Sequence, residues 1–192
     1  MKKQTIIVLF IYTVIAVVFS TTANGQNTYY IKSACGKYLT LQNLSGNAGT
    51  PVVLSDFEGS LAQQWKTITK PNAQGGTSLY IQPVKVPSRV LGKNEEGNRV
   101  QLCYFTGGPG QEWVMEYRPE WNGVYTLRSL VGWENLYKGD GPCDNNTSLM
   151  ISPDNETPSQ MWYLEDVNLA QSLRAELTNI LIKEVMKKSQ RN

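Results

Sequence analysis

"AQQWKT", Ala62–Thr67, holds a Gln-x-Trp core that the chain writes twice more, as "GQEWVM" around Gln111–Trp113 and "SQMWYL" around Gln160–Trp162. The glutamines stand at 63, 111 and 160, steps of 48 and 49 residues. Spacing this even in a chain of 192 residues marks an internal repeat. Nine residues before each glutamine an aliphatic residue closes a short run: "VVL" at Leu54, "VQL" at Leu102, "LMI" at Ile151. Further upstream stand "GKYLTL", "SRVLGK" and "ENLYKG", centred on Leu39, Leu91 and Leu136. Each copy opens on an aromatic-aliphatic alternation: "TYYIKS", "SLYIQP" and "VYTLRS".

The units so defined run about 28–68, 77–117 and 123–166, joined by the turn-rich "KPNAQGG" and "PEWNG". Their apolar residues alternate or come in threes between Gly, Asn, Pro and Ser, which predicts short strands and hairpins. Four short strands cannot bury an apolar face alone, but three such units can close on one another and remove their exposed edges. The expected fold is all-β, a β-trefoil of three Gln-x-Trp repeats. A propeller would need at least four blades.

The ends of the chain follow other patterns. Lys2 and Lys3, the apolar run Thr5–Phe19 and the small residues of "STTANGQ" predict a secretory signal peptide over 1–25. That run falls short of the roughly 20 residues a spanning helix needs, so no transmembrane segment is expected once it is removed. The expected location is secreted, or periplasmic in a bacterium. The trefoil then covers 26–166 and a tail 167–192. In the tail Leu169, Leu173, Leu177, Ile180 or Leu181, and Val185 recur at helical spacing, with lysines toward the end. An amphipathic helix is expected over 168–188, with Asn168 and Gln171 as a capping box. It would pack on the trefoil or dock a protein partner.

Composition excludes much. There is no histidine, which removes His-based triads and His metal sites. Without the two signal-peptide lysines, 16 basic residues face 16 acidic ones, so no nucleic-acid partner is expected. Cys35, Cys103 and Cys143 show no CxxC spacing, and an odd count leaves the pairing open. No cofactor, metal or catalytic constellation is expected, and the chain is read as a non-enzyme.

The repeats together resemble the ricin B-type lectins, with "GKYLTLQNLSGNAGTPVVLSDFEGSLAQQW" the copy most similar to that family. The resemblance covers about 28–166. It implies that Trp65, Trp113 and Trp162, with Gln63, Gln111 and Gln160, brace the core rather than hold sugar. It also implies a galactose pocket in each unit: an aspartate after the "GKYL"-like leucine, an aromatic ring after the "V-x-L" strand, and a polar residue before the glutamine. This chain has Thr40, Gly92 and Tyr137 at the first place, Ser55, Cys103 and Ser152 at the second, and Ala62, Gly110 and Ser159 at the third. The galactose sites are therefore degenerate, Gln101 being the one element retained.

Altered sites are expected from Thr40 and Asp56 in the first unit, Gln101 and Tyr104 in the second, and Trp133, Glu134, Tyr137 and Asp140 in the third. The expected function is a secreted lectin-like module that binds glycans or glycoproteins through altered loops. The competing expectation is a protein-interaction subunit, for example of a toxin, that binds no sugar and docks its partner through the trefoil surface and the helix.

Overall fold

A computed structural model describes residues 27–71, 77–94, 98–121 and 123–189. The expected signal peptide lies outside them. Twelve strands fall four to a unit. The first unit has β1 Thr28–Ser33, β2 Tyr38–Leu41, β3 Val52–Ser55 and β4 Gln64–Pro71. The second has β5 Thr77–Pro83, β6 Arg89–Lys93, β7 Val100–Tyr104 and β8 Trp113–Arg118. The third has β9 Val124–Ser129, β10 Asn135–Lys138, β11 Thr147–Ser152 and β12 Trp162–Asp166.

The outer strands of each unit pair in a ring, β1 with β4, then β5, β8, β9, β12 and back to β1, every pairing antiparallel. This closed six-stranded barrel has no free edge. The inner hairpins β2–β3, β6–β7 and β10–β11 cap one end. They join one another through Pro51 with Gln101, Arg99 with Met150, and Thr147 with Leu54. The chain is thus a β-trefoil with an approximate threefold axis through barrel and cap.

Each Gln-x-Trp pair does the same mechanical work three times. Trp65, Trp113 and Trp162 are fully buried, and their indole N–H groups donate to the carbonyls of Leu39, Leu91 and Leu136 at 3.1, 3.1 and 3.0 Å. Every tryptophan therefore ties the last strand of its unit to the second. A 3-10 turn leads into each one, at Leu61–Gln63, Pro109–Gln111 and Pro158–Gln160. The glutamine amide brackets the loop before it. Gln63 Oε1 accepts from the N–H of Glu58 and Gly59 while its Nε2 donates to Asp56 O. Gln111 repeats this with Thr106, Gly107 and Tyr104, and Gln160 with Asn155 and Pro153. Around this frame pack matched aliphatic layers, among them Leu39, Leu91 and Leu136, and Leu54, Leu102 and Ile151. A disulfide between Cys35 and Cys143 fastens the first unit to the third, 108 residues apart in sequence.

The tail forms helix α1, Val167–Ser189, but not as a capping box on Asn168. Asp166 is the cap instead: its Oδ1 accepts from the N–H of Asn168 and Leu169 at 2.9 and 3.0 Å. Only the root of α1 packs on the barrel. Val167 is buried, and Arg174 lays its guanidinium 3.4 Å from the Phe57 ring centroid, within 3.9 Å of Glu165. Beyond it Leu173, Leu177, Ile180, Leu181, Ile182, Val185 and Met186 are all exposed. The expected single face is not there. Residues four apart advance by roughly 40° around a helix, so the row from Leu169 to Val185 winds about the axis, and Ile182 and Met186 lie outside it.

Two outcomes follow from this packing. Trp65→Phe removes the donor to Leu39 O and part of a fully buried ring, and is expected to cost about 2–3 kcal/mol in urea unfolding; an unchanged midpoint would contradict the bracing role. Removing residues 176–192, whose described side chains are exposed, is expected to leave the thermal midpoint within about 2 °C. A fall of about 10 °C would mean that the distal helix supports the barrel.

Candidate functional site

At the three places where the resemblance puts galactose pockets, the residues present have three different surroundings. In the first unit Thr40 is buried; its Oγ1 donates to Tyr38 O and accepts from Gln63 Nε2, both at 3.0 Å. It serves the glutamine bracket and offers nothing to a ligand, contrary to its expected place in an altered site. Asp56 is exposed but engaged. Lys37 Nζ donates to its carboxylate at 2.6 Å and Asn145 Nδ2 at 3.0 Å, while its own N–H donates to Asn145 Oδ1 at 2.9 Å. The Lys37 hydrogen bond, with that from Asn145, holds the carboxyl below the ordinary aspartate value. Asp56 is thus a clasp between the first and third units, near the disulfide.

In the second unit Gly92 cannot be exchanged for aspartate without rearrangement, because a Cβ there would stand 2.9 Å from Cys103 Sγ. Gln101 is the register partner of Gly92 and half-buried. Tyr104 belongs to the other side of the strand from Cys103 and Gln101; its exposed ring lies 3.9 Å from the Arg89 guanidinium carbon. In the third unit Tyr137 is half-buried with its hydroxyl 3.4 Å from Met150 Sδ, and burial, with the nearby Asp140 charge, raises its pKa. The small cleft beside it, about 150 Å³, is lined by Ser33, Ala34, Cys35, Lys138, Pro158 and Ser159, with neither a carboxylate nor a ring.

The grouping of Trp133, Glu134, Tyr137 and Asp140 does not hold in space. Strand β10 separates Trp133 and Glu134 at its start from Asp140 beyond its end, so the two sets face different neighbours. Asp140 lines a cavity of about 420 Å³ with Asp144, Asn146 and Arg99. Leu130 and Glu134 instead lean on the second unit: Leu130 N–H donates to Glu112 O at 3.1 Å, and Glu134 Oε2 meets Lys93 Nζ at 3.3 Å. Lys93, missed in the sequence, adjoins Gly92 and so brings this turn next to the Gly92–Gln101 pair.

The Trp133 backbone is unusual. Gly132 and Trp133 have φ of 80° and 56°, two consecutive left-handed residues. A bulky side chain in that region costs about 1 kcal/mol or more. The turn nonetheless holds the indole outward, 61% exposed beside the half-buried Glu134–Lys93 pair. Among the described residues no group of three or more His, Cys, Asp or Glu side chains is arranged to hold a metal. Among the described residues no helix is long and apolar enough to cross a membrane.

No protein-family model matches the chain, and no curated protein does. Solved structures do. A mosquitocidal holotoxin is similar over 77% of this chain at 25% identity and a TM-score of 0.65, although this chain spans only 18% of the toxin's length. The designed threefold-symmetric protein ThreeFoil is similar over 72% at 19% identity and 0.65, with 98% of its own length covered. The ricin B-like lectin of Macrolepiota procera, solved with lactose, is similar over 76% at 18% identity and 0.59, with 99% covered. The chain shares its β-trefoil fold with ricin B-like lectins.

The Asp56 clasp has a measurable signature. Its folded pKa is depressed, so its contribution to stability is present above the unfolded value and is lost as pH falls through the folded one. NMR titration is expected to place Asp56 below 3.8, and Lys37→Met is expected to move it upward. An Asp56 at the ordinary value that ignores the substitution would show that the clasp does not form in solution.

Proposed function

We propose that this chain is an exported, non-enzymatic glycan-binding module that has lost the galactose pockets of its fold and reads sugars through rebuilt loops. The observation that carries the proposal is the turn at Gly132–Trp133. It accepts unfavourable backbone geometry to hold an aromatic ring outward beside a charged pair. A flat exposed ring stacks on the C–H face of a pyranose, and the adjacent carboxylate and ammonium supply hydrogen bonds to its hydroxyls. The lactose complex of the Macrolepiota lectin makes saccharide binding a natural use of the fold, with different residues carrying it here.

A second reading has its own support. Helix α1 extends its exposed apolar side chains well past the barrel, as a subunit that docks a partner would. In that reading the trefoil is a scaffold and another chain supplies any catalytic activity.

A glycan array probed with residues 26–192 separates the two. Binding to at least one glycan class is expected, weakened about tenfold or more by Trp133→Ala. Binding that ignores this substitution would remove Trp133 from the site. Failure to bind any glycan, together with co-purification of a partner that depends on residues 168–192, would favour the subunit reading.

A further inference from the structure

At the tip of the cap, where the three inner hairpins converge, lies a cavity of about 580 Å³. Its apolar lining comes from Val52, Val100 and Leu149, the first residues of the three "V-x-L" strands, so the cavity lies on the pseudo-threefold axis. The residues preceding these are Pro51, Arg99 and Ser148, and those closing the partner strands are Gln42, Asn94 and Gly139. Threefold symmetry in the backbone is thus combined with three different side chains at each level. The small members, Ser148 and Gly139, leave room that the larger ones would fill.

The polar side chains here are distinguished by what they do not do. Elsewhere the glutamines are spent on structure: Gln63, Gln111 and Gln160 bracket loops, Gln64 bonds Tyr30, and Gln82 bonds Pro87 O. Around this cavity the side chains of Gln42, Asn98, Arg99, Gln101 and Ser148 make no hydrogen bond or ion pair among the described residues. Three amides, a guanidinium and a hydroxyl, belonging to all three units, therefore meet over an aliphatic floor with their hydrogen-bonding capacity unused. Among the described residues no aromatic ring and no carboxylate lines this cavity.

That inventory selects a ligand. Amides donate and accept, as vicinal hydroxyls require. Pro51, exposed in the lining, suits the C–H face of a sugar or a methyl group. Arg99, the one formal charge among the described lining residues, matches a carboxylate in bidentate geometry. The volume lies within the ordinary range for small-ligand sites. We infer that this axial cavity takes a terminal acidic sugar, its carboxylate on Arg99 and its hydroxyls on Gln42, Asn98 and Gln101. The next sugar would leave past Arg99 and Ser148, which also line the adjoining cavity with Asp140. The inference rests on the glycan-binding reading above and adds a second site distinct from the Trp133 turn.

Calorimetric titration with sialyllactose, glucuronic acid and lactose tests it on the mature chain and three variants. The two acidic probes are expected to bind at least tenfold more tightly than lactose. Arg99→Ala should abolish that preference, and Ser148→Leu, which fills the exposed rim, should block binding, while Trp133→Ala leaves it intact. Both rim residues are exposed, so these variants are expected to fold; circular dichroism checks that they do. Acidic-probe binding lost only in Trp133→Ala would overturn the axial site and leave the glycan-binding module standing. Binding blocked by Ser148→Leu but equal for lactose and the acidic probes would overturn the acidic specificity. A chain that is positive on the array but binds none of the three probes would overturn the inference alone, and a chain negative on the array would remove the reading beneath it.

Discussion

Three hydrogen bonds, from buried indoles to the carbonyls of Leu39, Leu91 and Leu136, are the constraint on which the rest of this molecule depends. An indole in a dry core must find an acceptor or incur the cost of a buried unpaired donor. Here the second strand of the same unit supplies that acceptor, so satisfying the tryptophan ties each unit to itself. The glutamine two residues earlier then pins the loop between the third and fourth strands. Three short units without adequate cores of their own thereby become rigid pieces that can close as a barrel.

Closure has a functional consequence. Because indole, amide and aliphatic layers carry the stability, the loops are released from structural duty and can change without loss of the fold. The places where the resemblance puts sugar illustrate this. One has been absorbed into the glutamine bracket through Thr40, one is shut by the approach of Cys103 to Gly92, and one is lined by Lys138 and Ser159 with no acid at all. The same freedom lets Trp133 occupy a left-handed turn and lets unspent polar groups gather at the axis.

The fold was legible in the sequence because it repeats: the spacing of Gln63, Gln111 and Gln160 exposes a symmetry that no single copy would reveal. The want of an aspartate at Thr40, Gly92 and Tyr137 was legible only against the family pattern that the repeats resemble, since all three copies lack it. What could not be read was contact between copies. Trp133 and Asp140 are close in sequence, yet β10 carries them to opposite ends, while Glu134 settles against Lys93 of another unit. The axial residues Gln42, Arg99 and Ser148 come from three units and meet only when the cap assembles. The tail misled for a different reason. A ladder of residues four apart looks like a face when counted, but it spirals when built at 3.6 residues per turn.

The account's central claim is a division of labour, with Trp65, Trp113 and Trp162 as walls and ligand chemistry confined to the loops. Amide-and-indole NMR on the mature chain, with and without a glycan identified by array, tests it most directly. The account predicts that the three core indole N–H groups exchange with solvent only on global unfolding and hold their shifts when glycan is added. The Trp133 indole should exchange freely and move on binding. Glycan-induced shifts centred on the indoles of Trp65, Trp113 or Trp162, or rapid exchange at those three, would contradict it.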